Sequence, residues 1–235
     1  MLKRQIIPFL GALSLLNNSA LASGSNKEFY LKTIAVLNKT SNIKTVDSDI
    51  NFMLDQKSNP SSTLGIGIGY YTNSFSRVDL VFENSNINFA TKGNDFQFVD
   101  DNIINSGNRS IKRTTNIQSI MLNGYLDIIK TSKFKVFLGS GIGSSKIKEK
   151  IVDNFESTIT NGHTITLPII FTSKANKNKN SFSYVFTGGT DISICNGFNI
   201  ELSYSWKYSG KVKTDDNKKN KYQGHNLSLA ARFDL

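Results

Sequence analysis

From Glu28 to the C-terminus the chain alternates apolar and polar residues with a period of two, in eight separate stretches. They run near Glu28–Leu37, Ser61–Thr72, Ser76–Glu83, Asn116–Ile128, Lys133–Ile147, Ser181–Ile194, Gly197–Tyr208 and Gln223–Leu235. Successive side chains of a strand point to opposite faces, so this pattern predicts eight half-apolar β-strands. Phe198, Ile200, Leu202, Tyr204, Trp206 and Tyr208 alternate with Asn199, Glu201, Ser203, Ser205 and Lys207. Leu227, Leu229, Ala231, Phe233 and Leu235 alternate with Asn226, Ser228, Ala230, Arg232 and Asp234. The first stretch is the weakest, with apolar residues on both parities.

Such strands build either a soluble barrel with an apolar interior or a membrane barrel with an apolar exterior. The polar parity decides for the second. It carries Lys32, Arg77, Lys135, Lys207 and Arg232 against Asp79, Glu83, Asp127, Asp191, Glu201 and Asp234, a near-cancelling set interspersed with glycine. A solvated surface has no need of that balance, whereas buried charges must be paired. An eight-stranded barrel is just wide enough for side chains to fill. The glycines are expected to leave room for long Arg and Lys side chains. Aromatics support the same orientation. With the N-terminus in the periplasm, Phe29, Tyr70, Phe134, Phe198 and Phe233 mark the periplasmic ends of the lipid-facing parity, and Phe182, Tyr184, Trp206 and Tyr208 mark the opposite ends. Two aromatic girdles around an apolar band are the pattern of outer-membrane barrels.

The connections alternate in length. Asn73–Phe75, Ile129–Ser132 and Cys195–Asn196 are short; residues 38–60, 84–115, 148–180 and 209–222 are long. Short periplasmic turns and long extracellular loops follow, with both termini periplasmic. Lipid cannot hydrogen-bond a free strand edge, so the first strand must pair with the last. The expected fold is an all-β, eight-stranded antiparallel up-and-down transmembrane β-barrel.

Residues 1–22 do not join this pattern. Lys3 and Arg4, an apolar run over Ile6–Leu16, and Ala20-Leu21-Ala22 are the three parts of a secretory signal peptide, with cleavage between Ala22 and Ser23. The run is far shorter than the ~18 residues of a membrane-spanning helix. The barrel domain is then 23–235. Loss of Lys3 and Arg4 takes two from the formal +10 of the 235-residue chain and leaves +8. Cys195 is the only cysteine, which excludes an intramolecular disulfide, and it reads as an incidental turn residue.

The chain resembles the small eight-stranded outer-membrane β-barrel superfamily, the OmpA-type and opacity-type surface proteins. Leu64–Tyr71 (LGIGIGYY), Phe137–Gly143 (FLGSGIG) and Ile200–Tyr208 (IELSYSWKY) are the most similar strands. Asn226–Phe233 (NLSLAARF) resembles the C-terminal strand that the barrel-assembly machinery reads, although Leu235 stands where an aromatic is common. The resemblance implies the lipid bilayer of the outer membrane and that machinery as partners.

Candidate chemistry is thin. Gly65-Ile66-Gly67-Ile68-Gly69 and Gly139-Ser140-Gly141-Ile142-Gly143 lack the spacing and following helix of a nucleotide loop. The two histidines are far apart: His163 in a loop beside Asn161-Gly162, and His225 assigned to the lumen parity near the outer rim. No convergent acid, base and nucleophile, metal ligand set or cofactor motif emerges, so no enzyme is expected. The loops are basic. Lys174, Lys177, Lys179, Lys211, Lys213, Lys218, Lys219 and Lys221 are candidate contacts to anionic host-surface or envelope components, and nucleic acid is not expected. Thr158–Thr166 alternates around Asn161-Gly162, a hairpin signal that predicts a β-ribbon above the membrane. The apolar Leu167–Phe171 would be costly to expose and is expected to pack against neighbouring loops, the alternative being contact with a partner. The functional expectation is a surface protein of the structural and interaction class, such as an adhesin or surface antigen. The rivals are a small-solute channel and a soluble periplasmic carrier.

Overall fold

The computed structural model describes residues 28–40, 43–47, 52–90, 94–100, 103–161, 164–165, 169–213 and 219–235. The segment expected to be a signal peptide, with Ala22 and Ser23, lies outside them, as do His163 and Lys218. Among the described residues there are twelve strands: β1 (Phe29–Thr40), β2 (Ile43–Asp47), β3 (Phe52–Ser58), β4 (Ser61–Tyr71), β5 (Ser76–Ala90), β6 (Asn94–Asp100), β7 (Ile103–Lys130), β8 (Phe134–Asn161), β9 (Thr164–Ile165), β10 (Ile169–Cys195), β11 (Phe198–Lys213) and β12 (Lys219–Asp234).

Eight of them close a ring. Its order is β1, β4, β5, β7, β8, β10, β11, β12 and back to β1, antiparallel at every step. The closing ladder runs from Tyr30↔Asp234 to Thr40↔Gly224. No edge of the ring is left open to lipid. The other strands are accessory: β2 pairs with β3, β6 with β7 and β9 with β8.

Alternation along each strand sets the two faces. Leu202 and Leu229 are 49% and 55% exposed, whereas Glu201 and Arg232, on the other parity of the same strands, are 1% and 0% exposed. The apolar parity therefore faces outward. The girdles form as ring pairs: Phe29 with Tyr70 at 5.1 Å and Phe198 with Phe233 at 4.8 Å at one end, Tyr184 with Tyr208 at 5.0 Å and with Trp206 at 5.6 Å at the other.

The strands outrun the expected stretches. β7 and β8 each span 28 residues and β10 spans 27, so much of 84–115, 148–180 and 209–222 is ladder rather than loop. The reason lies in a change of solvent. On β8 the outward positions Leu138 and Ile142 give way to Lys146, Lys148 and Lys150, while Ile147 beside them is fully buried. Alternation continues with its polarity reversed, and a search for apolar-outward strands stops at the reversal. Of the expected ribbon at 158–166, the described residues pair Thr160 with Ile165 and Asn161 with Thr164, continuing the β8–β10 ladder; Gly162, His163 and Thr166 lie outside the described residues.

Candidate functional site

Two regions hold the unusual chemistry: the lumen and the extended rim beyond the apolar band. In the lumen, each of the eleven charged residues assigned to it joins an ion pair. Glu201 lies at the centre, with Lys32 Nζ at 2.7 Å, Arg77 Nη2 at 3.1 Å and Arg232 Nη1 against the same carboxylate. Arg232 also reaches Asp191 at 2.7 Å and Asp234 at 3.3 Å, and Arg77 reaches Asp127 at 3.0 Å. Lys32 lies 3.6 Å from Asp79, Lys135 lies 4.0 Å from Asp191, and Lys207 pairs with Glu83. Asp79 accepts hydrogen bonds from Asn123 Nδ2 at 2.8 Å and from the Tyr125 hydroxyl at 3.4 Å. Asp234 accepts from the Tyr71 hydroxyl at 2.8 Å and from Asn199 Nδ2 at 2.9 Å.

Aromatic rings complete the plug. The Arg77 guanidinium sits 4.8 Å from the Tyr125 centroid and 4.7 Å from that of Phe137, and Arg232 sits 5.3 Å from that of Tyr30. Two of the glycines serve these lids rather than the cations themselves. A Cβ on Gly69 would stand 2.1 Å from the Tyr30 ring, and one on Gly139 would stand 2.5 Å from Tyr125. The expectation that glycine clears space for Arg and Lys is corrected accordingly. Glycine admits the rings, and the rings carry the arginines.

Beyond the plug lies a small cavity of ≈ 90 Å³ that runs from Lys32 and Tyr125 to Ile87, Ile117 and Tyr222. A hydroxyl belt borders it, with Ser145 2.7 Å from Ser119 and accepting from Ser183 at 2.6 Å. An apolar cluster of Ile87, Phe89, Ile117, Ile147, Val212 and Tyr222 then fills the interior. Tyr222 donates to Glu149, and burial together with that carboxylate pushes its phenol above the ordinary value. The lumen is closed twice, by ions below and by hydrocarbon above.

On the rim, the loop lysines divide. Lys174, Lys211 and Lys221 are exposed, and Lys211 pairs directly with Lys221 in the ladder, as Lys213 does with Lys219. Like charges in opposite register repel. Lys177 and Lys179 stand opposite Glu149 and Ile147 and so have the other backbone parity from Lys174, with Lys177 half-buried and Lys179 still exposed.

Further expectations change. His225 is exposed on the outer face, its ring stacked 5.8 Å from that of Tyr204 and its Nδ1 2.7 Å from the Tyr204 hydroxyl, so it is no lumen residue. Ile170 and Phe171 are exposed rather than packed. Sequence reasoning also missed the buried Arg113, Glu149 and Tyr222, because they fall where loops were expected. Their inward parity on the extended ladders was the available signal.

Closed ring, outward apolar band, double girdle and ion-filled interior define the class: this is a small eight-stranded outer-membrane β-barrel. No family model matches the chain. A Rickettsia conorii protein named "Putative adhesin" is 34% identical over 232 residues, covering 93% of this chain and 86% of its own length. One of the same name from Rickettsia bellii is 32% identical over the full length of both. The chain belongs to this rickettsial protein family. Among solved structures, Neisserial surface protein A is 15% identical, covers 88% of this chain and 97% of its own, and superposes with a TM-score of 0.47. Ail, the attachment invasion locus protein of Yersinia pestis, is 14% identical, covers 88% and 99%, and has a TM-score of 0.42.

Proposed function

We propose that this protein is an adhesin whose long ribbons stand outside the cell, with both termini in the periplasm, and that they bind an anionic polymer of a host surface. One observation carries the reading. Ile170 and Phe171 are 69% and 62% exposed on β10, twelve and eleven residues beyond Phe182 of the outer girdle. At a rise of ~3.3 Å per residue that is roughly 35–40 Å along the strand, beyond any lipid that would cover them. An apolar pair held in water, with the exposed Lys174 three residues along the same strand, suits a protein or polysaccharide partner. The name shared by the relatives supports the same reading, and the closed lumen argues against solute passage. On this reading the protein binds a partner and turns over no substrate.

Adhesion is tested by displaying the protein on a non-adherent bacterium and counting cells bound to an epithelial monolayer. Display should raise binding above the empty-vector strain. Ile170→Ser with Phe171→Ser should remove most of the gain, and soluble heparin should compete in a salt-dependent manner. Counts equal to the empty vector would end the adhesin reading.

A further inference from the structure

We propose that the outer wall of β7, β8 and β10, just beyond the apolar band, binds the phosphate groups of outer-leaflet lipids. This site does not rest on the adhesive reading, although Lys174 borders both surfaces. The argument begins with height. A strand rises ~3.3 Å per residue and a barrel strand tilts ~35–45°, so each residue climbs roughly 2.5 Å, and an apolar band of ~25 Å takes about ten residues. On β8, ten residues lead from Phe134 in the inner girdle to Ser144. On β10, ten lead from Ile192 to Phe182. The ladder sets Ser144 opposite both Phe182 and Ile120, within a few ångströms of where hydrocarbon ends on each strand.

The next outward residues on β8 are Lys146, Lys148 and Lys150, all exposed. One rung higher, Val152 is flanked by the exposed Lys112 on β7 and Lys174 on β10. Their partners across the ladders are neutral. Asn180, Asn178 and Asn176 face the three lysines from β10, and Gln118, Asn116 and Thr114 face them from β7. None of these described outward positions carries a carboxylate. Glu149, which interrupts the lysines in sequence, is only 3% exposed and its carboxylate accepts from Tyr222 in the interior, so it leaves three exposed cations to one buried anion. Thr114, Asn116, Lys148, Lys150, Asn176 and Asn178 line one shallow groove, together with Lys177 and the buried Glu149.

Cations at alternate positions of one strand repel, and amide donors beside them add no counter-charge. The missing partner is an anion that accepts several hydrogen bonds. At this height the chemistry available is the phosphate of a lipid headgroup, whose acyl chains continue down the apolar band below. Ammonium and amide donors suit phosphate oxygens.

The test places the folded full chain in nanodiscs of phosphatidylcholine doped with lipid A, either bisphosphorylated or dephosphorylated, and measures the lipid retained on the barrel by native mass spectrometry. Retention of the phosphorylated form should exceed the other on the order of tenfold at low salt. K146Q/K148Q/K150Q should bring the ratio near one, while K211Q/K221Q leaves it unchanged. A heat-modifiable gel band checks that each variant folds. The comparison of the two lipids on the unmodified protein stands even if a variant does not fold. Equal retention of both lipids by the unmodified protein would overturn the proposal, as would full preference in the folded triple variant. Displacement of the lipid by soluble heparin at equal phosphate and sulfate concentration would also overturn it, by marking the wall as a site for soluble anions.

Discussion

Replacing Glu201 with glutamine keeps the shape of the side chain and removes the charge at the centre of the lumen. Lys32 at 2.7 Å, Arg77 at 3.1 Å and Arg232 all converge on that carboxylate, itself 1% exposed. Removing one side of a buried ion pair costs ~3–5 kcal/mol, because the remaining charge has lost its counter-ion without regaining water. The lower end applies here. Arg232 keeps Asp191, Arg77 keeps Asp127 and Lys32 keeps Asp79. About 3 kcal/mol is therefore expected, roughly a 150-fold change in the folding equilibrium constant. Urea titration in lipid vesicles measures it, read through Trp206, the only tryptophan of the chain, which stands in the outer girdle. Removing Lys32 as well, as K32M/E201Q, should restore part of the loss, since it withdraws one of the unpaired cations. A loss below ~0.5 kcal/mol is what a solvated surface pair would give, and would show that the lumen is hydrated and its ion pairs nearly worthless.

Three other outcomes follow from the same geometry. Reconstituted in a planar bilayer, the protein should give a flat current trace, and stepwise conductance of porin size would refute the double closure of the lumen. Gly69→Ala should cost ~1–3 kcal/mol in the same urea assay by forcing Tyr30 off its site, whereas an unchanged midpoint would mean that the Tyr30 lid is dispensable. Leu229→Arg, at an outward position 55% exposed in the middle of β12, should lose ~2–4 kcal/mol in vesicles; a neutral result there would contradict its contact with lipid.

The membrane-level barrel was legible in the sequence because two independent patterns coincide there. Period-two alternation gave the strands, and the charge balance of one parity distinguished inside from outside. Residues such as Glu201 and Arg232 carry both signals. His225 shows where the method slips. It shares the parity of Leu227 and Leu229, yet its polarity suggested the lumen. The structure keeps the outward parity and satisfies the imidazole with the Tyr204 hydroxyl at the rim. The ion-pair partners were not legible, since pairing of Arg232 on β12 with Asp191 on β10 depends on reach across β11 rather than on spacing along the chain. Ile170 and Phe171 were misjudged for a simpler reason: an apolar run in a presumed loop was expected to find cover, and the ladder holds it open.

The long ribbons follow from a physical asymmetry within single strands. Inside the bilayer, an apolar interior would gain nothing, because lipid outside is as apolar as leucine. There the chain holds its staves together with paired charges and stacked rings, and sends Leu138 and Ile142 outward. Past Ser144 the surroundings are water, and burying hydrocarbon again becomes favourable by ~25 cal/mol per Å². The interior accordingly changes from Arg77 and Glu201 to Ile147, Phe89 and Tyr222, while the exterior changes from Leu138 to Lys146. Along β8 the alternation does not break, so the ladder hydrogen bonds continue through the change. This is why a strand of 28 residues remains one element although its two halves are stabilised by opposite arrangements. It also separates their responses. Charge substitutions should act on the half below Ser144 through its buried ion pairs, which salt screens little, and cavity-forming substitutions such as Ile147→Ala should act on the half above it.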